Sequence, residues 1–293
     1  MWASLLRAHS LEYKGFSDDP SSIFYLPEEL TQKIYDASTN ICDAGVLATV
    51  SKSGRQNVRD RMEHVLKLTQ PPFNIPKNRL CNITRVHLSY ANMNDNHMIT
   101  FAAALANGAL AQVTELYLYN NMIGDAGLTA LATACAKGAL AKVTRIDLSE
   151  NQIGDVGLTA LADACAKGAL PQVTKLHLYD NKIGDVGLTA LASACANGAL
   201  ANVTTLVLCW NNIGDAGLAA LTKACANGAL AKVTELYLGD NRICDVGLTA
   251  LAYACANGAL ANCDYINVDG QTVSSETKKA LGLSLKLRRQ SLG

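Results

Sequence analysis

The ten residues IGDVGLTALA occupy positions 153–162 and recur, letter for letter, at 183–192. Near-copies start at Ile123, Ile213 and Ile243, so the spacing is thirty residues throughout. A fixed period of this length marks a stacked repeat architecture, and it restricts the chain more than any other feature. One unit buries about five large aliphatic side chains, a gross gain on the order of 10 kcal/mol at ~2 kcal/mol each. Ordering its backbone costs more than that, at ~1–2 kcal/mol per residue. A unit therefore cannot fold alone and needs a neighbour above and below.

The unit from Val113 to Lys142 reads VTELYLYNNMIGDAGLTALATACAKGALAK. Its opening places Val113, Leu116, Leu118 and Ile123 inward, which predicts a short strand and the turn after it. Asp125 stands where an N-cap belongs, and Leu128, Leu131 and Cys135 follow at helical spacing. Gly138 is placed as the residue that leaves the helix in the left-handed conformation, and Leu140 closes the unit. Asn121, Asn151, Asn181, Asn211 and Asn241 form a column whose amides are expected to satisfy the loop backbone of adjoining coils. Six such units fill residues 83–262, and residues 263–293 form an altered capping repeat. There Gln271 takes the Asn position, Ser275 the N-cap, and Lys278 the place of a buried Leu. The first unit also departs, with Ala91 and Met93 at the Asn and Ile positions.

The pattern LxxLxLxxNxI at 113–123 is that of leucine-rich repeats, and the length with its GxxxL helix resembles the ribonuclease-inhibitor-like class. That resemblance implies an α/β solenoid, with a curved parallel sheet inside and helices outside. Here it would be preceded by a small helical N-terminal segment.

Composition narrows the function. Twenty-five basic and 25 acidic residues give zero net charge, which argues against nucleic-acid binding through a strongly basic surface. No apolar run reaches the ~18–20 residues a membrane span needs. Cys135, Cys165, Cys195, Cys225 and Cys255 are spaced by thirty and fall at one core position. Stacked helices lie ~8–10 Å apart, whereas a disulfide wants Cα atoms within ~4.4–6.8 Å. These thiols are expected as small core fillers, with no metal site and no cofactor, in a reducing compartment. A cytoplasmic or nuclear location fits, and an organellar presequence at 1–16 stays open beside a frayed tail. His87 and His177 are three coils apart, ~14 Å at ~4.8 Å per strand, so they cannot serve one centre. No catalytic constellation can be assembled, and the chain reads as no enzyme.

The units differ most in the residues between the buried strand positions. Alternation puts these on the concave face. The candidates for partner binding there are Arg85, Glu115, Arg145, Lys175 and Glu235 in one column. His87, Tyr117, Asp147, His177 and Tyr237 form the next, followed by Tyr119 and Tyr179, then Tyr90, Glu150 and Trp210. Aromatic and Arg side chains are what protein-recognition surfaces collect.

Residues 1–80 do not follow the period. A tail (1–22) precedes a helical segment (23–68) and a linker (69–82) containing TQPPFNIPKN. The string LPEEL, then Ile34, then VLATVSK resembles an F-box, the motif that docks on the Skp adaptor of cullin ubiquitin ligases. The resemblance implies adaptor contacts from Leu26, Pro27, Leu30, Ile34, Val46, Leu47 and Val50. The Trp usual soon after the VSK segment is absent. The reading that follows is a non-catalytic protein gripping a partner protein on the strand face, with a Skp-type adaptor at the helices. Alternatives are a free-standing scaffold or inhibitor, with those helices as a cap, and a small-GTPase regulator. The Ran GTPase activators also resemble this repeat class, but they carry an acidic tail where this chain ends in KLRRQSLG.

Overall fold

The computed structural model describes residues 84–108 and 110–291. The tail, the F-box-like segment with its seven expected adaptor contacts, and the linker lie outside the described residues.

Each coil contributes one three-residue strand and one helix. The strands are β1 (Arg85–His87), β2 (Glu115–Tyr117), β3 (Arg145–Asp147), β4 (Lys175–His177), β5 (Thr205–Val207), β6 (Glu235–Tyr237) and β7 (Tyr265–Asn267). Between and after them run α1 (Asp95–Ala106), α2 (Asp125–Ala136), α3 (Asp155–Ala166), α4 (Asp185–Ala196), α5 (Asp215–Ala226), α6 (Asp245–Ala256) and α7 (Ser275–Ser291). The strands form one parallel sheet in chain order. Its register pairs Arg85 with Glu115, Leu116 with Ile146 and Ile146 with Leu176, so the period of the sequence is the register of the sheet. Helices need ~8–10 Å between axes and strands only ~4.8 Å. A stack carrying both must bend toward its strands, and the sheet becomes the inner curve.

The core is one column per inward position. In the third coil Val143, Ile146, Leu148, Ile153, Leu158 and Leu161 are each at most 1% exposed. Cys135, Cys165, Cys195, Cys225 and Cys255 are all buried. Burial pushes the Cys135 thiol up to about 12, so it stays protonated as an apolar filler.

The Asn column closes the turns. The Asn181 amide donates to Leu148 O at 3.0 Å in the preceding coil and to Leu178 O in its own, while its oxygen accepts from Ile153 N at 3.0 Å. Asn151 and Asn211 repeat this one coil away on either side. Gln271 takes over in the last coil, accepting from Ile243 N and donating to Leu238 O.

Two capping expectations are corrected. Asp125 is the first residue of α2, and the N-cap is Gly124, which has no side chain to offer. The Asp125 carboxylate serves the next helix instead, accepting from Gly154 N and Gly157 N at 2.8 Å each. Stacking brings it against the free N–H groups of α3, where its charge also meets the positive end of that helix. Asp95, Asp155 and Asp185 act the same way. Glycine at the cap follows from this arrangement, because a Cβ on Gly154 would stand 3.1 Å from Asp125 Oδ2. In the last coil Ser274, not Ser275, caps: its Oγ accepts from Thr277 N at 3.2 Å. Only the first described helix is capped from within its own coil by the full reciprocal pair, Asn94 with His97.

Gly138 has φ 93° at the helix exit, as expected, and Leu140 two residues on is also left-handed at 58°. Among the described residues no helix is long and apolar enough to cross a membrane.

Candidate functional site

On each three-residue strand the middle side chain enters the core and the outer two face the inner curve. Across β1–β4 these outer side chains engage one another. Arg85 Nε lies 3.3 Å from Glu115 Oε1, and the Tyr117 hydroxyl donates to Glu115 Oε2 at 2.6 Å. Tyr117 is held between neighbours from the coils on either side. His87 stacks on it at 4.0 Å between ring centroids, and the Arg145 guanidinium lies 5.2 Å from its centroid. Arg145 Nη2 reaches Asp147 Oδ2 at 4.0 Å, and His177 Nδ1 approaches the same oxygen at 3.5 Å.

This relay is largely withdrawn from water: Asp147 is 2% exposed, Tyr117 4% and His177 8%. Burial by itself would raise the Asp147 carboxyl. The hydrogen bond and charge of His177, with a hydrogen bond from the Ser149 backbone N–H, outweigh it and hold the group below the usual carboxylate range. Burial lowers His87 to about 4, and the charges of Arg85 and Arg145 push the same way. His177 turns Nδ1 toward Asp147, and its Nε2 is buried without a hydrogen-bond partner. Three expected partner-binding side chains, Tyr117, Asp147 and His177, thus brace the sheet from within rather than standing free.

The strand ends are built differently. Tyr90, Asn120, Glu150, Asp180, Trp210 and Asp240 all have φ between 49 and 58°. A left-handed residue breaks the alternation of the strand, so these side chains leave the sheet face and form its rim. Tyr90 is 54% exposed and Trp210 40%. Tyr90 meets Tyr119 edge-on at 5.1 Å, and the Asn120 amide donates to Glu150. Asp180 and Asp240 stand outside the candidate set read from the sequence. The signal that finds them is their place on the thirty-residue ruler, in the column of Glu150 and Trp210. Lys175, Tyr179, Glu235 and Tyr237 remain partly exposed on the inner curve, where the Tyr237 hydroxyl donates to Glu235 at 3.3 Å. His87 and His177 are separated by β2 and β3, and the described residues contain no metal-ligating cluster.

The leucine-rich-repeat family pattern matches residues 113–132, 139–162, 170–192, 199–221 and 229–252. With the parallel sheet and its outer helices, these segments give the described residues the architecture of a leucine-rich-repeat solenoid. No curated protein matches the chain. Among solved structures it is similar to the ectodomain of the receptor kinase SOBIR1 from Arabidopsis thaliana, at 13% identity over 48% of this chain and 62% of that one, TM-score 0.26. It is similar also to the ectodomain of GASSHO1/SCHENGEN3 from the same plant, in complex with CASPARIAN STRIP INTEGRITY FACTOR 2, at 15% identity over 68% and 26%, TM-score 0.35. An internalin, inlF of Listeria monocytogenes, matches at 18% identity over 77% and 72%, TM-score 0.37. The chain thus spans less than two thirds of the first two of these.

Proposed function

We propose that this protein is a non-catalytic recognition module that receives a partner protein on its strand face and rim. The observation that supports this most is the contrast within the chain. Core, Asn and Asp columns are copied from coil to coil, whereas the strand and rim columns change and collect Tyr119, Tyr179, Tyr237 and Trp210. Large aromatic side chains held on rigid backbone bind with little loss of conformational entropy. The test is affinity capture with the wild type and a Tyr179→Ala, Trp210→Ala double variant, read by mass spectrometry. Loss of specific proteins from the variant is expected; identical lists would overturn the proposal.

The finer reading, that residues 23–68 pass the captured protein to a cullin-type ubiquitin ligase, rests on the LPEEL, Ile34 and VLATVSK resemblance. It predicts co-purification with a Skp-type adaptor and loss of that adaptor on Leu30→Glu or Ile34→Glu. Wild type that never retains the adaptor would leave a free-standing scaffold, with those helices as a cap.

A further inference from the structure

We propose that Ser291 is a phosphorylation site for an arginine-directed serine/threonine protein kinase, which reads it through Arg288, Arg289 and Leu292. The proposal is independent of the recognition role above. It begins where the last helix breaks the pattern of the other six. Helices α1 to α6 each hold 12 residues. Each then gives way to a glycine in the left-handed conformation, with φ between 88 and 98° from Gly108 to Gly258. Thirty residues beyond Gly258 stands Arg288, for which that conformation is costly. The chain does not turn there, and α7 runs 17 residues, to Ser291. On the same ruler the end of α6 at Ala256 corresponds to Lys286, which is exposed. Residues 287–291 therefore run on past the point where the neighbouring helix has ended.

This overrun carries the one pair of adjacent arginines in the sequence, in LRRQSLG at 287–293. They stand three and two places before Ser291, and Leu292 follows it. No acidic residue follows Glu276, so the segment is purely basic. A guanidinium is a planar fork matched to a carboxylate, and two in succession select a kinase groove lined with carboxylates. Other serines lack this combination. Ser10 has Arg7 three places before it and Leu11 after it, but no second arginine. Ser284, in the same helix, is 5% exposed and donates to Leu281 O. A kinase takes its serine from an extended stretch, and helix ends fray at little cost. Opening 287–291 leaves the buried Leu281 and Leu285 in place. In the transfer, Ser291 Oγ attacks the γ-phosphorus of ATP held with magnesium by the kinase. The Oγ–P bond forms, the bond from that phosphorus to the bridging oxygen breaks, and ADP leaves. The hydroxyl proton passes to the catalytic Asp of the kinase. The product places about −1.5 to −2 charge at pH 7 on a helix bearing Lys278, Lys279, Lys286, Arg288 and Arg289.

The probe is the catalytic subunit of cyclic-AMP-dependent protein kinase, an arginine-directed enzyme, with acid-directed casein kinase II as the contrast. Each is incubated with the full chain and labelled ATP, and the phosphate is located by fragmentation mass spectrometry. The arginine-directed kinase is expected to modify Ser291, at a rate at least about tenfold above that of the acid-directed one. Ser291→Ala should remove that phosphate, whereas Ser193→Ala, at an exposed serine of α4 with no arginine before it, should leave the rate unchanged. Arg288→Ala with Arg289→Ala is expected to slow the transfer about tenfold or more. Arg288→Lys with Arg289→Lys, which keeps the charge without the fork, should fall between the two. Absence of phosphate from Ser291, equal modification by both kinases, or an unchanged rate without the arginines overturns the proposal. Should a variant fail to fold, the kinase contrast and the mapped position in wild type decide alone.

Discussion

Asn181 shows how much of this protein is carried by single side chains that act between coils. Its amide serves carbonyls of two coils and its oxygen a buried backbone N–H of the preceding one. Asn181→Ala strands those groups without water, so a loss of about 3 kcal/mol is expected in urea unfolding, far more than helix or strand propensity would give. His87 supplies a pH dependence. Its folded pKa of about 4 lies below the ordinary 6.5, so between those values the unfolded chain binds the proton that the folded state refuses. Stability from this group is complete above pH 6.5 and is lost as pH falls through about 4. Asp147, also depressed, acts in the same direction at lower pH. Comparing pH 7 with pH 4, wild type should lose on the order of 2 kcal/mol more than His87→Phe, which keeps the stack on Tyr117 but not the titration.

At the scale of an element, the helix starts are the informative part. Glycine in a helix normally costs about 1 kcal/mol against alanine. Gly187, third residue of α4, should invert that rule. A Cβ there would meet Asp155 Oδ1 at 2.7 Å and the Asp155 Cα at 3.0 Å. Its N–H also donates to the same carboxylate at 2.9 Å. Gly187→Ala is therefore expected to destabilise by about 1–3 kcal/mol in thermal or denaturant unfolding, through overpacking against the coil below. A stabilised variant would show that the Asp155 contact is dispensable. The elements themselves were legible: aliphatic spacing marked the strands, the helices and the turn glycines, because those residues pack on positions fixed by the period. The cap was not, because the partner of Asp125 is in the next coil and a propensity rule looks only within one helix.

For the whole molecule, the thirty-residue register makes coils exchangeable. Deleting residues 154–183 joins Ile153 to Gly184 and restores the same local sequence across the junction. The shortened chain should fold, with circular dichroism of unchanged shape and a denaturant m-value lower by about a seventh, in proportion to the surface exposed on unfolding. A chain that fails to fold would mean that the third and fourth coils carry something the others lack.

The sequence by itself determined the repeat, the stack and the columns, since copies thirty residues apart must meet when neither can bury its apolar face alone. It also marked the strand columns as the place where the coils differ. Only tertiary structure decided which of those side chains are buried within the sheet and which reach its rim. Asp147, His177 and Tyr117 are spent on each other because cross-strand neighbours lie within reach, and no linear pattern states that. The left-handed residue after each strand turned Glu150, Asp180, Trp210 and Asp240 out to the rim, against the alternation that would have set them on the sheet. A backbone dihedral held by the turns of a stacked coil is a property of the assembly of coils, not of any one of them.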